Sequence, residues 1–195
     1  MKMSHFWLTT IPPDTASGRL KEIYEQVKSP NGQVDRVYQA QSLRPETILG
    51  HDRLYRSILH FESPVCQPWF LEAIAVYTSV LNRCQYAAEH HYANMTHLLG
   101  NIDHAADILV AFHMDNLESV FTGKELQLLL YARKLTLAPG DVQRSDIDLI
   151  KENGATDEEI LEANQVTAGF NYSNRVINGL GVKPGGEKIG YYGNE

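Results

Sequence analysis

The feature that most constrains the fold is an apolar segment, residues 69–81, in which Glu72 is the single charged residue. Apolar side chains fall on nearly every side of this segment when it is placed on a helix, so it predicts a helix buried over most of its surface. A buried helix has to be covered by other elements. The sequence therefore predicts that residues 69–81 form the centre of the fold.

The rest of the chain predicts further helices, because apolar residues recur at helical spacing between turn-forming pairs such as Pro139-Gly140 and Asn153-Gly154. The predicted helices span residues 15–27, 35–43, 46–61, 69–81, 84–99, 103–112, 124–137, 145–152 and 156–178. No strand-like alternation interrupts them. We predict an all-α fold, a compact helical bundle in one domain over residues 1–195. An irregular tail begins at about residue 183, and its tyrosines indicate packing on this domain or on a neighbouring subunit.

Composition excludes several partners. The net charge of −7 repels phosphate backbones, so no nucleic acid is expected to bind. No apolar run approaches the roughly 20 residues that span a bilayer, so no membrane partner is expected. Residues 1–7 lack the pattern of a secretory signal, and two cysteines cannot build a disulfide framework. We expect a cytoplasmic protein.

Glu72 is the first candidate site residue. A carboxylate within an apolar helix is either buried with a partner, which perturbs its pKa, or near the helix start and facing solvent. The sequence leaves both arrangements open.

Cys84, Ala87, Ala88 and His91 form the second candidate group, because offsets of three, four and seven share one helix face. Cys84 stands at the predicted start of its helix, where the helix dipole favours a thiolate. An imidazole at His91 is suited to hold or relay a proton near neutral pH. The alternative is a packing stripe with an inert buried cysteine and a hydrogen-bonded histidine.

No metal or cofactor is predicted. His90, His97 and His104 recur every seven residues, which places them about 10 Å apart along a helix instead of the three or four positions typical of ligands. The glycine-rich tail lacks the strand-turn-helix context of a phosphate loop. The remaining histidines have no evident companions: His5, His51, His60 and His113.

The spacing of Glu72, Cys84 and His91 matches the signature Glu-(eleven)-Cys-x-x-Cys-x-x-x-His. With it, the chain resembles the alkylhydroperoxidase D / carboxymuconolactone decarboxylase family, in its peroxidase-related subgroup. The likeness implies an all-helical bundle that assembles as a homo-oligomer, with Cys84, Ala87 and His91 lining a small apolar pocket beside the Glu72 helix. It extends over almost the whole chain, in residues 11–12, 43–45, 75–86, 89–91, 179–182 and 186–192.

The chain departs from the family pattern at Ala87, where the family's peroxidases carry the cysteine that attacks the hydroperoxide. Cys84 alone can be oxidised to a sulfenic acid, but an external thiol then has to reduce it. Cys66 lies before the central helix and Cys84 after it, about 20 Å apart along the helix, so an intrachain disulfide is not expected.

Three functions follow as hypotheses. The first is an impaired peroxidase-related antioxidant protein, with Cys84 as redox residue and Glu72 and His91 as proton relay for a small hydroperoxide. The second is a non-redox enzyme of the decarboxylase type, in which Glu72 and His91 move protons on a small carboxylated or lactone substrate. The third is an oligomeric binding protein without catalysis.

Overall fold

The structure, a computed structural model, describes residues 6–192. Within this range the chain is all-α, without a β-strand, as the sequence predicts. Residues 1–5 and 193–195, which include His5, most of the segment judged for a secretory signal and the end of the tail, lie outside the described residues. The helices are α1 Gly18–Gln26, α2 Arg36–Gln39, α3 Pro45–Leu59, α4 Pro68–Leu81, α5 Gln85–Leu99, α6 Ile102–Met114, α7 Gly123–Leu137, α8 Arg144–Glu152 and α9 Asp157–Gly179.

Helix α4 is the centre of the bundle, which confirms the prediction from residues 69–81. Every residue from Phe70 to Ser79 is buried, and α4 packs against α5 most extensively, then against α9 and α7. Pro68 begins the helix at a position where its missing N–H is not needed. Among the described residues no helix is long and apolar enough to cross a membrane.

The connection between α4 and α5 is short and strained. Arg83 adopts a positive φ of 53°, and Cys84 follows as the N-cap with φ −97° and ψ 84°, which is not helical. The Cys84 N–H donates to the Ser79 carbonyl oxygen at 2.8 Å. Helix α5 therefore begins at Gln85, one residue later than the sequence predicts, and Cys84 is outside it.

Helices α1, α2 and α3 enclose a smaller buried cluster, which includes Ile23, Tyr24 and Ile48. Helix α2 is shorter than the predicted 35–43, because the N–H groups of Gln41 and Ser42 bond three residues back, in tight turns, instead of four. The chain then reaches Pro45, which disfavours a helical residue before it. These turns separate α2 from α3.

The tail, residues 183–192, is irregular and lies against the bundle. The Gln33 side chain donates to the Lys188 carbonyl oxygen at 3.0 Å, and the Tyr191 N–H donates to Asn94 Oδ1 at 2.6 Å. The tail therefore runs from the α1–α2 connection to α5 and packs on its own chain, one of the two arrangements that its tyrosines predict.

Candidate active site

Glu72 and His91 form a buried hydrogen-bonded pair between α4 and α5. His91 Nδ1 lies 2.6 Å from Glu72 Oε2, and Asn94 Nδ2 donates to Glu72 Oε1 at 3.1 Å. Glu72 is only 1% exposed. Of the two arrangements that the sequence left open, the buried and partnered carboxylate is the one that the structure has.

A cavity of about 60 Å³ lies next to His91, with room for a few water-sized groups. Because His91 Nδ1 faces Glu72, Nε2 is the ring nitrogen on the opposite edge. Phe170 contacts the ring edge-on at 4.5 Å between centroids. We call this the His91 cavity; its lining includes Asp35, Tyr38, His51, Tyr55, Tyr86, Ala87, His90, His91, Asn94, Phe170, Ser173, Gly190 and Tyr191.

Two histidines without companions in the sequence have partners around this cavity. His51 Nε2 lies 2.8 Å from Ser173 Oγ, and His60 Nε2 lies 2.8 Å from Tyr55 OH. Burial lowers the pKa of both His51 and His60 to about 4, so both are neutral at neutral pH. His51 and Tyr55 belong to α3, His60 is the residue after α3, and Ser173 belongs to α9. The spacing of residues along the sequence does not reveal contacts between side chains of different helices, so these pairs were not predicted.

The tail forms part of the wall of the His91 cavity. Gly190 and Tyr191 line it, and the Tyr191 N–H and the Glu72 carboxylate bind the two ends of the same Asn94 amide. Gly190 has a positive φ of 87°, and a Cβ there would lie 3.0 Å from Asn94 Oδ1. Glycine is therefore the residue that lets the tail approach α5 this closely.

Cys84 is not part of this cavity. It lines a second cavity of about 510 Å³ together with Ser79, Arg83, Ala88, Tyr92 and His113, which we call the Cys84 cavity. Ala87 and His91 line the His91 cavity, as predicted, but the prediction that Cys84 lines the same pocket is wrong. The physical reason is that Cys84 has non-helical backbone angles, so its side chain leaves the face that the 84–87–91 spacing defines.

The sequence left open whether Cys84 is a thiolate or an inert buried cysteine, and its surroundings favour the buried thiol. Burial raises the pKa of the Cys84 thiol to about 11, although the backbone N–H of Ala87 acts in the opposite direction. Cys84 is fully buried, so the loss of hydration outweighs its place at a helix start. Cys66 is free and buried as well, and burial raises the pKa of its thiol.

Metal ligands are not assembled in the described part of the chain. Among residues 6–192, no group of three or more His, Cys, Asp or Glu side chains is placed to hold a metal ion. His90 stacks on Tyr86 instead, with centroids 4.5 Å apart, and burial lowers the pKa of His90 to about 4.

Solved structures share this arrangement of helices. An uncharacterized peroxidase-related protein from Ralstonia eutropha JMP134, described as an alkylhydroperoxidase AhpD core, matches with a TM-score of 0.79 over 94% of both chains, at 21% identity. The chain has the AhpD-like fold. A peroxidase-related protein from Silicibacter sp. TM1040 matches with a TM-score of 0.73 and 22% identity over 95% of this chain and 91% of that one.

The debrominase Bmp8 also has a similar structure, with a TM-score of 0.72 and 16% identity over 92% of each chain. No family profile and no curated protein matches the sequence. The AhpD-like fold therefore includes both peroxidase-related proteins and a debrominase, and the activity of this chain has to be argued from its own site.

Within this AhpD-like fold, Ala87 stands at the wall of the His91 cavity. It is buried and lies four residues before His91, so the two side chains are neighbours on α5. By the resemblance, the family's peroxidases carry their attacking cysteine at this position. None of the residues lining the His91 cavity in this chain is a cysteine.

Proposed function

We propose that this protein is a general acid–base enzyme that moves a proton on a small substrate held in the His91 cavity. His91 is the base, and Glu72 is the carboxylate that orients and supports it. The observation that carries the proposal is the 2.6 Å contact between Glu72 and His91 at the wall of a cavity without a thiol.

The proton transfer follows from the hydrogen bonds around His91. A carboxylate at Glu72 accepts the Nδ1–H of His91, which leaves the lone pair on Nε2 facing away from Glu72. Nε2 takes a proton from the substrate, the carboxylate stabilises the imidazolium, the imidazolium exchanges its proton with solvent, and Nε2 then returns a proton to the product. No electron transfer is involved. A positioned base of this kind contributes about 10²–10⁴-fold to a rate.

Proton exchange tests the proposal directly. Small ketones, lactones and carboxylated compounds are incubated with the protein in D₂O, and loss of the C–H signal beside the carbonyl group is followed by NMR. We expect exchange with at least one compound, and its loss in His91→Gln. His113→Gln is the matched control, because His113 lines the Cys84 cavity. Exchange that survives in His91→Gln would contradict the proposal.

A thiol peroxidase centred on Cys84 is the second candidate, supported by the peroxidase-related structural neighbours and by the cavity beside the thiol. The Cys84 thiolate would attack the O–O bond, giving a sulfenic acid and an alcohol, and two equivalents of an external thiol would restore the cysteine with release of water. A pKa of about 11 leaves only about one thiolate in 10⁴ at pH 7, which disfavours this candidate.

Hydroperoxide consumption with a dithiol reductant separates these candidates, when the protein is compared with its Ala87→Cys variant. We expect consumption in the variant alone, since only the introduced thiol would lie beside His91. Equal Cys84-dependent consumption in both proteins would establish the peroxidase function instead. A protein without activity in either assay would leave the binding function.

A further inference from the structure

A chain of three polar side chains ends at the His91 cavity. Gln41 Nε2 lies 3.0 Å from His51 Nδ1 and 2.9 Å from the Val37 carbonyl oxygen, and His51 Nε2 lies 2.8 Å from Ser173 Oγ. The carbonyl oxygen of Val37 fixes the orientation of the Gln41 amide, since it requires a donor. Gln41 therefore presents an N–H to His51 Nδ1.

The tautomer of His51 follows from this orientation. His51 is 4% exposed and neutral at neutral pH, because burial lowers its pKa to about 4. With Nδ1 accepting from Gln41, the single ring proton is on Nε2, and it donates to Ser173 Oγ. The Ser173 hydroxyl therefore does not donate to His51, and no other hydrogen bond of Ser173 to a described residue is found. Its proton is free to bind an acceptor in the cavity.

The charges around the cavity are negative. Asp35 lines it, and burial raises the pKa of this carboxyl to about 6, so it is ionised at pH 7.5. No lysine or arginine is among the described lining residues. Two arginines on the neighbouring helices α2 and α3 have carboxylate partners: Arg56 contacts Asp52 at 2.9 Å and Arg36 contacts Glu187 at 3.1 Å.

We infer that the His91 cavity binds an uncharged small molecule with an acceptor oxygen, such as a ketone, amide or lactone, that Ser173 donates to that oxygen, and that small carboxylates are excluded. This inference rests on the proposed function and narrows its substrate class. A hydroxyl donor at a carbonyl oxygen also favours loss of the neighbouring proton to His91, since negative charge develops on that oxygen.

Acetone, acetamide and acetate test the inference, because they have nearly the same shape and differ in charge. The full chain is titrated with each at pH 7.5, and the ring signals of His51 and His91 are followed by NMR. We expect acetone and acetamide to bind in the millimolar range and acetate to bind at least about tenfold more weakly. Acetate binding as tight as acetone binding would overturn the inference, and so would the absence of binding by both neutral probes.

Two variants test the named residues. Ser173→Ala should weaken acetone binding by about fivefold, the loss of one hydrogen bond, whereas Ser57→Ala on the exposed side of α3 should leave it unchanged. Asp35→Asn should tighten acetate binding by about tenfold. Unchanged acetone affinity in Ser173→Ala would overturn the role of Ser173, and unchanged acetate affinity in Asp35→Asn would overturn the role of charge.

The binding experiments and the proton-exchange assay test separate claims, so one claim can be refuted while the other stands. Neutral probes that bind without His91-dependent exchange would defeat the proposed function and leave the binding preference standing. His91-dependent exchange on carboxylates, with no preference for neutral probes, would support the proposed function and refute the binding preference.

Discussion

The two cavities on either side of α5 differ in size and in the residues that line them. The His91 cavity is about 60 Å³ and takes part of its lining from the tail, whereas the Cys84 cavity is about 510 Å³ and takes its lining from α4, α5, α6 and the turn that contains Arg83. Residues of one sequence signature are thus divided between them: His91 lines the first cavity and is hydrogen-bonded to Glu72 behind it, whereas Cys84 lines the second. A sequence signature gives the order and spacing of its residues, but it does not determine which of them share a cavity in the folded protein.

The largest expected effect is on turnover, which should depend on the His91 cavity and not on the Cys84 cavity. His91→Gln should lower turnover in the proton-exchange assay by about 10²–10⁴-fold, because it removes the base. Cys84→Ser should stay within about twofold of the parent, because its cavity is separate. Rates at saturating substrate for the three proteins check this. A large loss in Cys84→Ser would show that the second cavity takes part in the reaction.

The next effect concerns thiol reactivity at two neighbouring alanines. Ala87→Cys places a thiol beside His91, and Ala88→Cys places one in the Cys84 cavity. We expect hydrogen peroxide to oxidise the thiol introduced at position 87 at least about tenfold faster, because an adjacent imidazole favours the thiolate. Site-resolved mass spectrometry after timed exposure measures both rates. Equal rates would mean that His91 does not activate a thiol at that position.

Stability towards acid is the third contrast. His51 and His90, which line the His91 cavity, and His60, which contacts its lining residue Tyr55, have pKa values near 4, well below the ordinary 6.5, because burial disfavours the charged form. As the pH falls below 6.5, these histidines take up protons in the unfolded chain before they do so in the folded chain. The contribution of the neutral histidines to the free energy of unfolding is therefore complete above pH 6.5 and is lost as the pH falls through about 4. Asp35, with its raised pKa of about 6, opposes this loss in part.

Urea unfolding at several pH values between 7 and 4 measures the slope of the unfolding free energy. His90→Gln should lower that slope by about one proton at most, and His113→Gln, an exposed residue of the other cavity, should leave it unchanged. An unfolding free energy that is constant across this range would contradict the burial of neutral histidines.

The smallest effect lies at the turn beside Cys84. Arg83 has a φ of 53°, a conformation that is strained for a residue with a Cβ atom but not for glycine. Arg83→Gly should raise the free energy of unfolding by up to about 1 kcal/mol, offset in part by the greater freedom of glycine in the unfolded chain. Thermal unfolding measures this change, and the proton-exchange rate should be unaltered. A decrease in stability would indicate that the arginine side chain contributes more than its backbone strain costs.

Much of the fold could be predicted from the sequence, because apolar spacing and turn residues are local signals. The central helix and the starts of α3, α4 and α9 follow from Pro45, the apolar run and the Thr156-to-Glu159 capping box, which is formed. Helix α2 was overestimated, since apolar spacing does not distinguish a tight turn from a helix over a few residues.

Spacing alone identified site residues only within one helix, and the pairing of Glu72 with His91 across two helices came from the family resemblance. The spacing predicted that Ala87 and His91 share a face of α5, and the family resemblance implied that they line one pocket. Cys84 does not line that pocket, because a single non-helical residue at a helix start redirects a side chain, and no spacing rule records it. Ser173, His51 and the tail come from distant parts of the chain, and only the packing of α3, α5 and α9 brings them together.

The hydrogen bond from the Tyr191 backbone to Asn94 has a consequence for biosynthesis. Translation proceeds from the amino end, so Gly190 and Tyr191 leave the ribosome after every helix from α1 to α9. A nascent chain can bury α4 and pair Glu72 with His91 before its cavity has a wall on that side. Until Gly190 and Tyr191 have been added and have reached α5, the cavity is open to water, and to any small metabolite nearby, on the side that the tail later covers.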